Sequence, residues 1–289
     1  MNKIVVFGGA GFIASHLADK LDKMNYEVIL YDKEESPYCQ GNQKMVVGDI
    51  LDDNLVKKAL ENANYVYHFA GIADIEQSTH MPLETIRVNV LGTAHILEAC
   101  VKAKVHRFIF ASSMYVYSEL GSFYRVSKQA CEKLIEEYSR QFDLKYTILR
   151  LGSVYGPRAN YFNPIKKIID QLRENKKVIC NRHPDDVREY IHVLDMAEEC
   201  INILDKRYEN QHIIINGSQP LTMDKLLQML REIIGNNAEI EYVPNEAPSH
   251  YQISPYAFRP KTAIKIIPTH FHDLGQGLLD LFYLENETV

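Results

Sequence analysis

Short apolar segments alternate with amphipathic stretches through the first half of the chain. The apolar, β-rich segments lie at 3–7, 27–32, 44–47, 65–73, 108–110 and 145–152, the fourth of them running into a small-residue loop. Apolar residues recur at helical spacing between these segments, most extensively over about 82–103 and 124–142. Such alternation produces right-handed crossovers. The pattern therefore predicts an α/β fold, a Rossmann-type doubly wound parallel sheet.

The second half of the chain is less regular. We predict helices near 164–174, 192–204, 223–234 and 273–284, and strands at 177–180 and 212–216. Residues 1–152 should form the Rossmann domain, and 153–289 a smaller mixed α/β part that binds substrate. Within that part, about 190–216 should return to the Rossmann sheet. Because ligands bind outside the carboxyl ends of parallel strands, we expect the substrate in the cleft between the two parts.

Composition excludes some classes of function. The net charge of −6 provides no basic surface for nucleic acid or an anionic membrane, so neither is an expected partner. No apolar run approaches the roughly 20 residues that span a bilayer, and no cleavable signal is expected. Five scattered cysteines without a C-x-x-C pair indicate reduced thiols in a cytoplasmic protein. The histidines form no metal-binding pattern, so no metal is expected.

A glycine turn follows the first strand. Gly8, Gly11 and Ala14 lie three residues apart in GGAGFIA, between the strand 3–7 and a helical run. A turn of this kind lets the backbone approach a pyrophosphate, and the first N–H groups of the helix point at it. We therefore expect a dinucleotide site at this turn.

Asp32 ends the second strand, 18 residues after Ala14. A carboxylate there accepts hydrogen bonds from both ribose hydroxyls and repels a 2′-phosphate, which favours NAD over NADP. Lys33 beside it weakens this preference. The alternative is that Asp32 only begins the turn Asp-Lys-Glu-Glu-Ser-Pro.

A candidate catalytic group follows the fifth strand. Ser113 should stand where that strand ends, and Tyr124 and Lys128, four residues apart, share one helix face. A serine hydroxyl can bond the reacting oxygen, the tyrosine can move its proton, and the lysine charge helps the phenol ionise below its free pKa of about 10. Tyr-x-x-x-Lys is expected about once by chance in this composition, and a Ser pair after a strand is often turn chemistry. The nucleotide site upstream is what favours catalysis.

Several segments together resemble the extended short-chain dehydrogenases/reductases, in the branch of nucleotide-sugar epimerases and dehydratases. The resembling segments are GGAGFIAS, VVGDI, HFAGIA, NVLGTAHILEA, SSMYVY, YRVSK, LRLGSVYGPR and REYIHVLD. They cover nearly the whole chain and are more specific for the family than for its reaction.

The resemblance implies NAD as cofactor and a nucleotide-sugar as substrate, with Ser113, Tyr124 and Lys128 catalytic. The residues it implies for NAD binding are Gly8, Gly11, Phe12, Ile13, Asp32, Lys33, Asp49, Ile50, Phe69, Ala70, Gly71, Ala73, Asn89, Ala111, Tyr124, Lys128 and Leu151. Those implied for substrate binding are Ser113, Ser153, Arg158, Arg188 and Arg259. Arg188 matches a phosphate-binding arginine; the alternative is a surface arginine paired with Glu189 or Asp195.

The chain also departs from the family. Ser153 replaces a usual asparagine, and 245–250 lacks an arginine that Arg182 or Arg259 would have to replace. Met114 and Tyr115 stand where 4,6-dehydratases have an acidic pair. Methionine cannot transfer a proton and tyrosine is a weak acid, which disfavours dehydration. The segment between Ser113 and Tyr124 is short, so we expect an open pocket there.

We therefore predict an NAD-dependent epimerase of a nucleotide-activated sugar that works through a transient keto intermediate. The alternatives are an NAD(P)-dependent sugar-nucleotide dehydrogenase or 4-keto-sugar reductase. A 4,6-dehydratase and a non-catalytic NAD-binding scaffold are less favoured.

The two long helices predict a homodimer. Each is apolar over more than one face, with Val88, Leu91, His95 and Ile96 on the helix 82–103, and Cys131 and Tyr138 on the helix 124–142. In the resembling family these helices pair across a two-fold axis. The alternative is that the extra residues contact the second domain.

Overall fold

Strands and helices alternate along the chain in the predicted order. A computed structural model describes residues 2–175, 177–234, 238–243, 250–255, 264–266 and 272–283. The strands are β1 (Lys3–Phe7), β2 (Glu27–Asp32), β3 (Lys44–Val47), β4 (Tyr65–His68), β5 (Arg107–Ser113), β6 (Lys145–Leu151), β7 (Ser153–Tyr155), β8 (Lys177–Cys180), β9 (Val187–His192), β10 (Gln211–Ile215), β11 (Pro220–Thr222), β12 (Glu239–Tyr242) and β13 (Ile264–Ile266). The α-helices are α1 (Phe12–Lys23), α2 (Asp53–Ala59), α3 (Ile75–His80), α4 (Pro82–Thr85), α5 (Gly92–Ala103), α6 (Ser122–Phe142), α7 (Pro164–Asn175), α8 (Val193–Asn202), α9 (Met223–Ile233) and α10 (Leu274–Tyr283).

The central sheet is parallel and doubly wound, which confirms the predicted fold class. Within the described residues it has eight strands, in the order β13-β10-β6-β5-β4-β1-β2-β3. Its strand order reverses between β1 and β4, and ligands of such sheets bind in the crevice at that point. The glycine turn follows β1 and the loop at Phe69 follows β4, so both lie at this crevice.

Apolar side chains are buried on both faces of the sheet. Along β1, Val5 and Phe7 pack against the layer of α2, α5 and α6, whereas Ile4 and Val6 pack against α1 and α8. Both faces are covered, so β1 is a continuous hydrophobic run rather than an alternating one.

The smaller part of the protein has its own core. Buried side chains of α7, α9 and α10, including Leu172, Leu227 and Leu278, pack together with Tyr155 and Val178. Two small sheets border this core, β11-β9-β7 and β12-β8. Strand β10 instead pairs in parallel with β6 of the central sheet.

The long helix predicted at 82–103 contains a π-helical segment. Residues Ile86–Leu91 separate α4 from α5 without ending the helix. A π segment frees carbonyl groups from the regular ladder. Here the carbonyl oxygen of Asn89 accepts hydrogen bonds from the Thr93 hydroxyl at 2.5 Å and the Cys131 thiol at 3.2 Å.

The extra apolar residues on the two long helices only partly face outward. Val88, Ile96 and Cys131 are buried in the core of their own chain, because α5 and α6 pack on each other as well as on the sheet. These three residues therefore do not face a partner subunit, and that part of the prediction is wrong. Leu91 does remain exposed. None of the helices in the described ranges is long and apolar enough to cross a membrane.

Candidate active site

Ser113 and Tyr124 meet at the carboxyl edge of the sheet. Strand β5 extends further than the predicted segment 108–110, and Ser113 is its last residue, at the strand end as expected. The Ser113 side chain lies close enough to the phenol of Tyr124 to lower its pKa, and its hydroxyl accepts the N–H of Tyr115 at 3.2 Å. Ser78 on α3 accepts the backbone N–H of Tyr124 at 3.2 Å, which ties the first turn of α6 to a neighbouring helix.

Lys128 lies one helical turn beyond Tyr124, as its spacing predicts. Its ammonium nitrogen is 5.7 Å from the centre of the Tyr124 ring and 4.7 Å from the centre of the Phe110 ring. It donates a hydrogen bond to the carbonyl of Ala111 at 2.7 Å. Burial lowers the pKa of Lys128 to about 8, so the side chain is charged at neutral pH and close to its titration point.

The Tyr124 phenol is not acidified by the protein alone. Burial raises its pKa, and the Ser113 side chain only partly opposes this. The expectation that the Lys128 charge lowers the pKa of the Tyr124 phenol is therefore not met in the protein alone.

The glycine turn has the geometry that a dinucleotide requires. Gly8 has φ +79°, and a Cβ there would lie 2.6 Å from the backbone nitrogen of Ala70. The turn is thus pressed against the loop after β4, where Phe69 and Ala70 donate their N–H groups to the carbonyl of Phe7. Helix α1 begins at Phe12 with Gly11 as its N-cap, no side-chain cap and no acidic residue in its first turn. Its first N–H groups can therefore receive a phosphate.

Asp32 faces the same turn from the end of β2. One carboxylate oxygen accepts the N–H of Ala10 at 3.0 Å and the other accepts the N–H of Lys33 at 2.7 Å. Burial raises its pKa against these hydrogen bonds. The Lys33 ammonium lies 3.4 Å from the Asp49 carboxylate. Two of the residues predicted to bind NAD are therefore neighbours.

Asn89 connects the π segment to the loop after β4. Its side-chain amide accepts the N–H of Ile72 at 2.7 Å and donates to the Ile72 carbonyl at 3.0 Å and to the Ser127 hydroxyl at 2.9 Å. Gly71, with φ +146°, lies so close that a Cβ would be 2.7 Å from the Asn89 oxygen. This loop is therefore held between the glycine turn and the catalytic helix.

The remaining residues predicted for NAD differ in exposure. Ile50 is a core residue packed against Gly92, and Ala111 and Leu151 are buried at the ends of β5 and β6. Ala73 is exposed in the loop before α3.

Arg188 is not a surface arginine. It is 2% exposed and donates to the carbonyls of Val187 at 2.8 Å, Gln252 at 3.2 Å and Tyr251. Its guanidinium lies 4.0 Å from the centre of the Tyr251 ring. The alternative of a pair with Glu189 or Asp195 is therefore wrong.

The other predicted substrate residues are dispersed. Ser153 lies near the Tyr251 phenol and lowers its pKa against the effect of burial. Arg158 pairs with Asp19 on α1 at 2.9 Å and stacks on Tyr38, 4.5 Å from its centre, which accounts for it as a structural residue. We do not retain Arg158 as a substrate contact. Arg259 lies outside the described residues.

Three aromatic residues at the site were not predicted. The Tyr115 ring packs edge-on against the Tyr124 ring, with centres 6.2 Å apart, and against the Tyr251 ring at 4.6 Å. The Tyr115 hydroxyl also bonds His250. These side chains cover the end of the site that we expected to be open. No local pattern could reveal them, because the segment 250–251 lies far along the chain from Tyr115.

Comparisons with known proteins agree with this geometry. A family model described as the NAD dependent epimerase/dehydratase family matches residues 4–216. The dTDP-D-glucose 4,6-dehydratase of Homo sapiens is 30% identical, over 83% of this chain and 76% of that protein. The UDP-N-acetyl-alpha-D-glucosaminuronate decarboxylase of Bacillus cytotoxicus is 28% identical, over 84% of each. The crystal structure of a Thermotoga maritima UDP-glucose 4-epimerase with UDP-glucose superposes with a TM-score of 0.87, at 25% identity over 99% of this chain and 100% of that one.

The fold and the site thus define a dinucleotide-dependent enzyme of the extended short-chain dehydrogenase/reductase class. The chain belongs to the NAD-dependent epimerase/dehydratase family. Its cofactor is NAD, and the family's reactions include epimerisation, dehydration and decarboxylation of nucleotide sugars.

Proposed function

We propose that the protein is an NAD-dependent epimerase of a nucleotide-activated sugar that works through a transient keto intermediate. The observation that supports it is the convergence of Ser113, the last residue of β5, with Tyr124 and Lys128 of α6, whose ammonium group is fixed on the carbonyl of Ala111. The group lies at the sheet edge where the glycine turn and Asp32 can hold NAD.

The chain's residues divide the work between binding and proton transfer. Bound NAD⁺ supplies the acceptor, and afterwards the donor, of a hydride. Ser113 orients the reacting hydroxyl by a hydrogen bond, and Tyr124 takes the proton of that hydroxyl and later returns it. Lys128 places a positive charge beside the phenol, which stabilises the phenolate while the proton is on the sugar side. Gly8, Gly11 and the first turn of α1 bind the pyrophosphate.

The residues after Ser113 favour epimerisation over reactions that remove an atom group from the sugar. The buried Met114 side chain packs with Tyr117 and Ile214, and the Tyr115 hydroxyl is engaged by His250. Neither residue offers a carboxylate for a second proton transfer. An epimerase needs no such carboxylate, because the keto intermediate only rotates in the site and accepts the hydride on its other face.

The nucleotide diphosphate would lie toward the smaller part of the protein. Arg188 and Arg182 both act electrostatically on Tyr115, Tyr251 and His250, so positive charge converges beside the sugar site. A guanidinium suits a diphosphate because its N–H groups match the phosphate oxygens. Arg188 would exchange part of its bonding to backbone carbonyls for this contact.

The mass of the product tests the proposal. Purified protein is incubated without added cofactor with UDP-glucose, UDP-N-acetylglucosamine, UDP-glucuronate or dTDP-glucose. Epimerisation changes the retention time of the sugar nucleotide and leaves its mass unchanged. A product lighter by water would identify a dehydratase, and one lighter by carbon dioxide a decarboxylase. Turnover that requires added cofactor would identify a dehydrogenase or reductase.

A further inference from the structure

A hydrogen bond crosses the cleft directly beside the catalytic tyrosine. The hydroxyl of Tyr115 and Nδ1 of His250 share it, although the residues are 135 positions apart. Tyr115 follows β5 at the edge of the central sheet. His250 precedes Tyr251, whose carbonyl is bound by Arg188 of β9 in the smaller part. The bond therefore joins the edge of the central sheet to the smaller part of the protein.

The Tyr115 ring is held on several sides. Its centre is 6.2 Å from that of the Tyr124 ring, 4.6 Å from that of the Tyr251 ring and 5.9 Å from that of the His250 ring. Gly121, with φ +107°, closes the remaining side, since a Cβ there would lie 2.6 Å from Cδ1 of Tyr115. These contacts confine the Tyr115 ring beside the phenol of Tyr124.

Both partners of the bond are neutral at ordinary pH. Burial raises the pKa of Tyr115, and burial lowers that of His250 to about 3. The charges of Arg182, Arg188 and Lys167 lower the pKa of His250 further in the same sense. Neutral partners hold each other by a hydrogen bond and do not compete with Tyr124 for the substrate proton.

We propose that Tyr115 and His250 form a cross-cleft clasp that retains the keto intermediate beside Tyr124 until the hydride returns. The inference rests on the proposed function. Oxidation of the sugar alcohol moves a hydride to NAD⁺ and a proton to Tyr124, and the ketone that forms has no covalent bond to the protein. If the ketone leaves early, the two electrons stay on the cofactor and the enzyme remains in its reduced form. Tyr115 and His250 are thus positioning residues.

The test measures the reduced enzyme rather than the rate alone. Holoenzyme is mixed in turn with UDP-glucose, UDP-N-acetylglucosamine and UDP-glucuronate, and the absorbance of reduced NAD is followed at steady state. Free keto sugar is measured in the filtrate by mass spectrometry. In Tyr115→Phe and His250→Ala we expect the reduced fraction and the released ketone to rise about fivefold, the effect of one lost hydrogen bond.

Two further variants separate the clasp from general damage. His250→Asn places an amide group near the position of Nδ1 and should restore low ketone release. Tyr117→Phe is the control. Its hydroxyl lies in the same turn as Tyr115 but accepts a hydrogen bond from Arg150 rather than bonding His250, so its loss should not raise the reduced fraction. If Tyr115→Phe does not fold, judged by its melting temperature, His250→Ala tests the same bond from the other side.

The outcomes distinguish the clasp from the proposed function. If the wild type epimerises a sugar, and both clasp variants are slower without accumulating reduced enzyme, the clasp is excluded and the proposed function stands. An equal rise in the reduced fraction of the Tyr117→Phe enzyme also excludes the clasp. A wild-type protein that epimerises neither these three sugar nucleotides nor dTDP-glucose overturns the proposed function, and the clasp with it.

Discussion

The ammonium group of Lys128 donates a hydrogen bond to the carbonyl oxygen of Ala111 at 2.7 Å. This contact joins α6 to β5 two residues before Ser113, so the lysine is positioned by the same strand as the serine. It also explains how a fully buried lysine is tolerated, because at least one of its N–H donors has a partner away from water.

The titration of Lys128 should be visible in the stability of the fold. Burial lowers its pKa to about 8, from the ordinary lysine value of 10.5. Between these values the unfolded chain binds the proton more often than the folded one, so the free energy of unfolding rises with pH across this window. Lys128→Met should lack this rise. Urea unfolding at a series of pH values measures it, with the exposed Lys133→Met as control; equal pH slopes in wild type and Lys128→Met would contradict the prediction.

Removal of the Tyr124 hydroxyl should abolish turnover and leave NAD binding nearly intact. Tyr124→Phe keeps the ring that packs against Tyr115 and loses only the group that transfers the proton. General acid–base catalysis contributes about 10²–10⁴-fold, and kcat should fall by this factor. Steady-state kinetics and NAD titration measure the two properties. Wild-type rates in this variant would exclude Tyr124 as the proton-transferring group.

Asp32 should determine the cofactor preference. We expect Asp32→Ala to weaken NAD binding by about 1–3 kcal/mol, the cost of charge-assisted hydrogen bonds left unmade, and to relax discrimination against NADP. Asp32→Asn is the matched variant, because its amide oxygen can still accept the N–H of Ala10 while the charge is gone. It should relax discrimination with a smaller loss of affinity. If calorimetric titration finds the preference unchanged in both, Asp32 serves only the turn.

A buried ion pair beneath the site should control acid stability. Glu132 on α6 binds Arg150 of β6 at 2.7 Å and accepts the Ser112 hydroxyl at 2.6 Å. Burial opposes the charge of Glu132, but the neighbouring His212 and the hydrogen bonds from Arg150 outweigh it and lower the pKa to about 2.

The stabilisation from Glu132 is present above its unfolded pKa of about 4.5 and is lost as the pH falls toward 2. Glu132→Gln should lose about 3–5 kcal/mol at neutral pH, since it leaves Arg150 buried without its partner, and its stability should vary less between pH 5 and 2. Chemical unfolding across this range measures both effects. The exposed Glu137→Gln should leave stability nearly unchanged, because solvent screens its ion pair with Arg140; a loss comparable to that of Glu132→Gln would mean that burial of the pair is not the cause.

We propose a homodimer formed through the helices at 82–103 and 124–142. Leu91 is 47% exposed on the first helix, and Leu83, Phe123 and Val126 are also exposed on this pair of helices. Exposed apolar groups on adjacent helices favour burial against a second copy. Light scattering should give twice 33.3 kDa for the wild type and a monomer for Leu91→Glu. Met24, 52% exposed at the end of α1, provides the control, because Met24→Glu should remain a dimer. A wild-type monomer at micromolar concentration would exclude the interface.

The fold and the convergence of the candidate cofactor and catalytic residues at one sheet edge could be predicted from the sequence because they depend on local patterns. The run Lys3–Phe7, the glycine turn and the helix behind it are contiguous, so their periodicity alone predicts a strand, a turn and a helix. Parallel strands align their carboxyl ends, and this brings Ser113 and the turn to one edge. The spacing of Tyr124 and Lys128 places them on one helix face for the same local reason.

Contacts between distant segments were decided only by the tertiary structure. A helix that is apolar on two faces can cover its own chain or a partner, and the packing of α5 on α6 decided that Val88 and Ile96 are internal. The short segment after Ser113 suggested an open pocket, yet His250 and Tyr251 approach from the other part of the protein and cover Tyr115. Arg188 matched a motif, but its bond to the Tyr251 carbonyl depends on how the two segments meet. Burial and hydrogen bonding across a cleft depend on neighbours that are remote in sequence, and no periodicity along the chain records them.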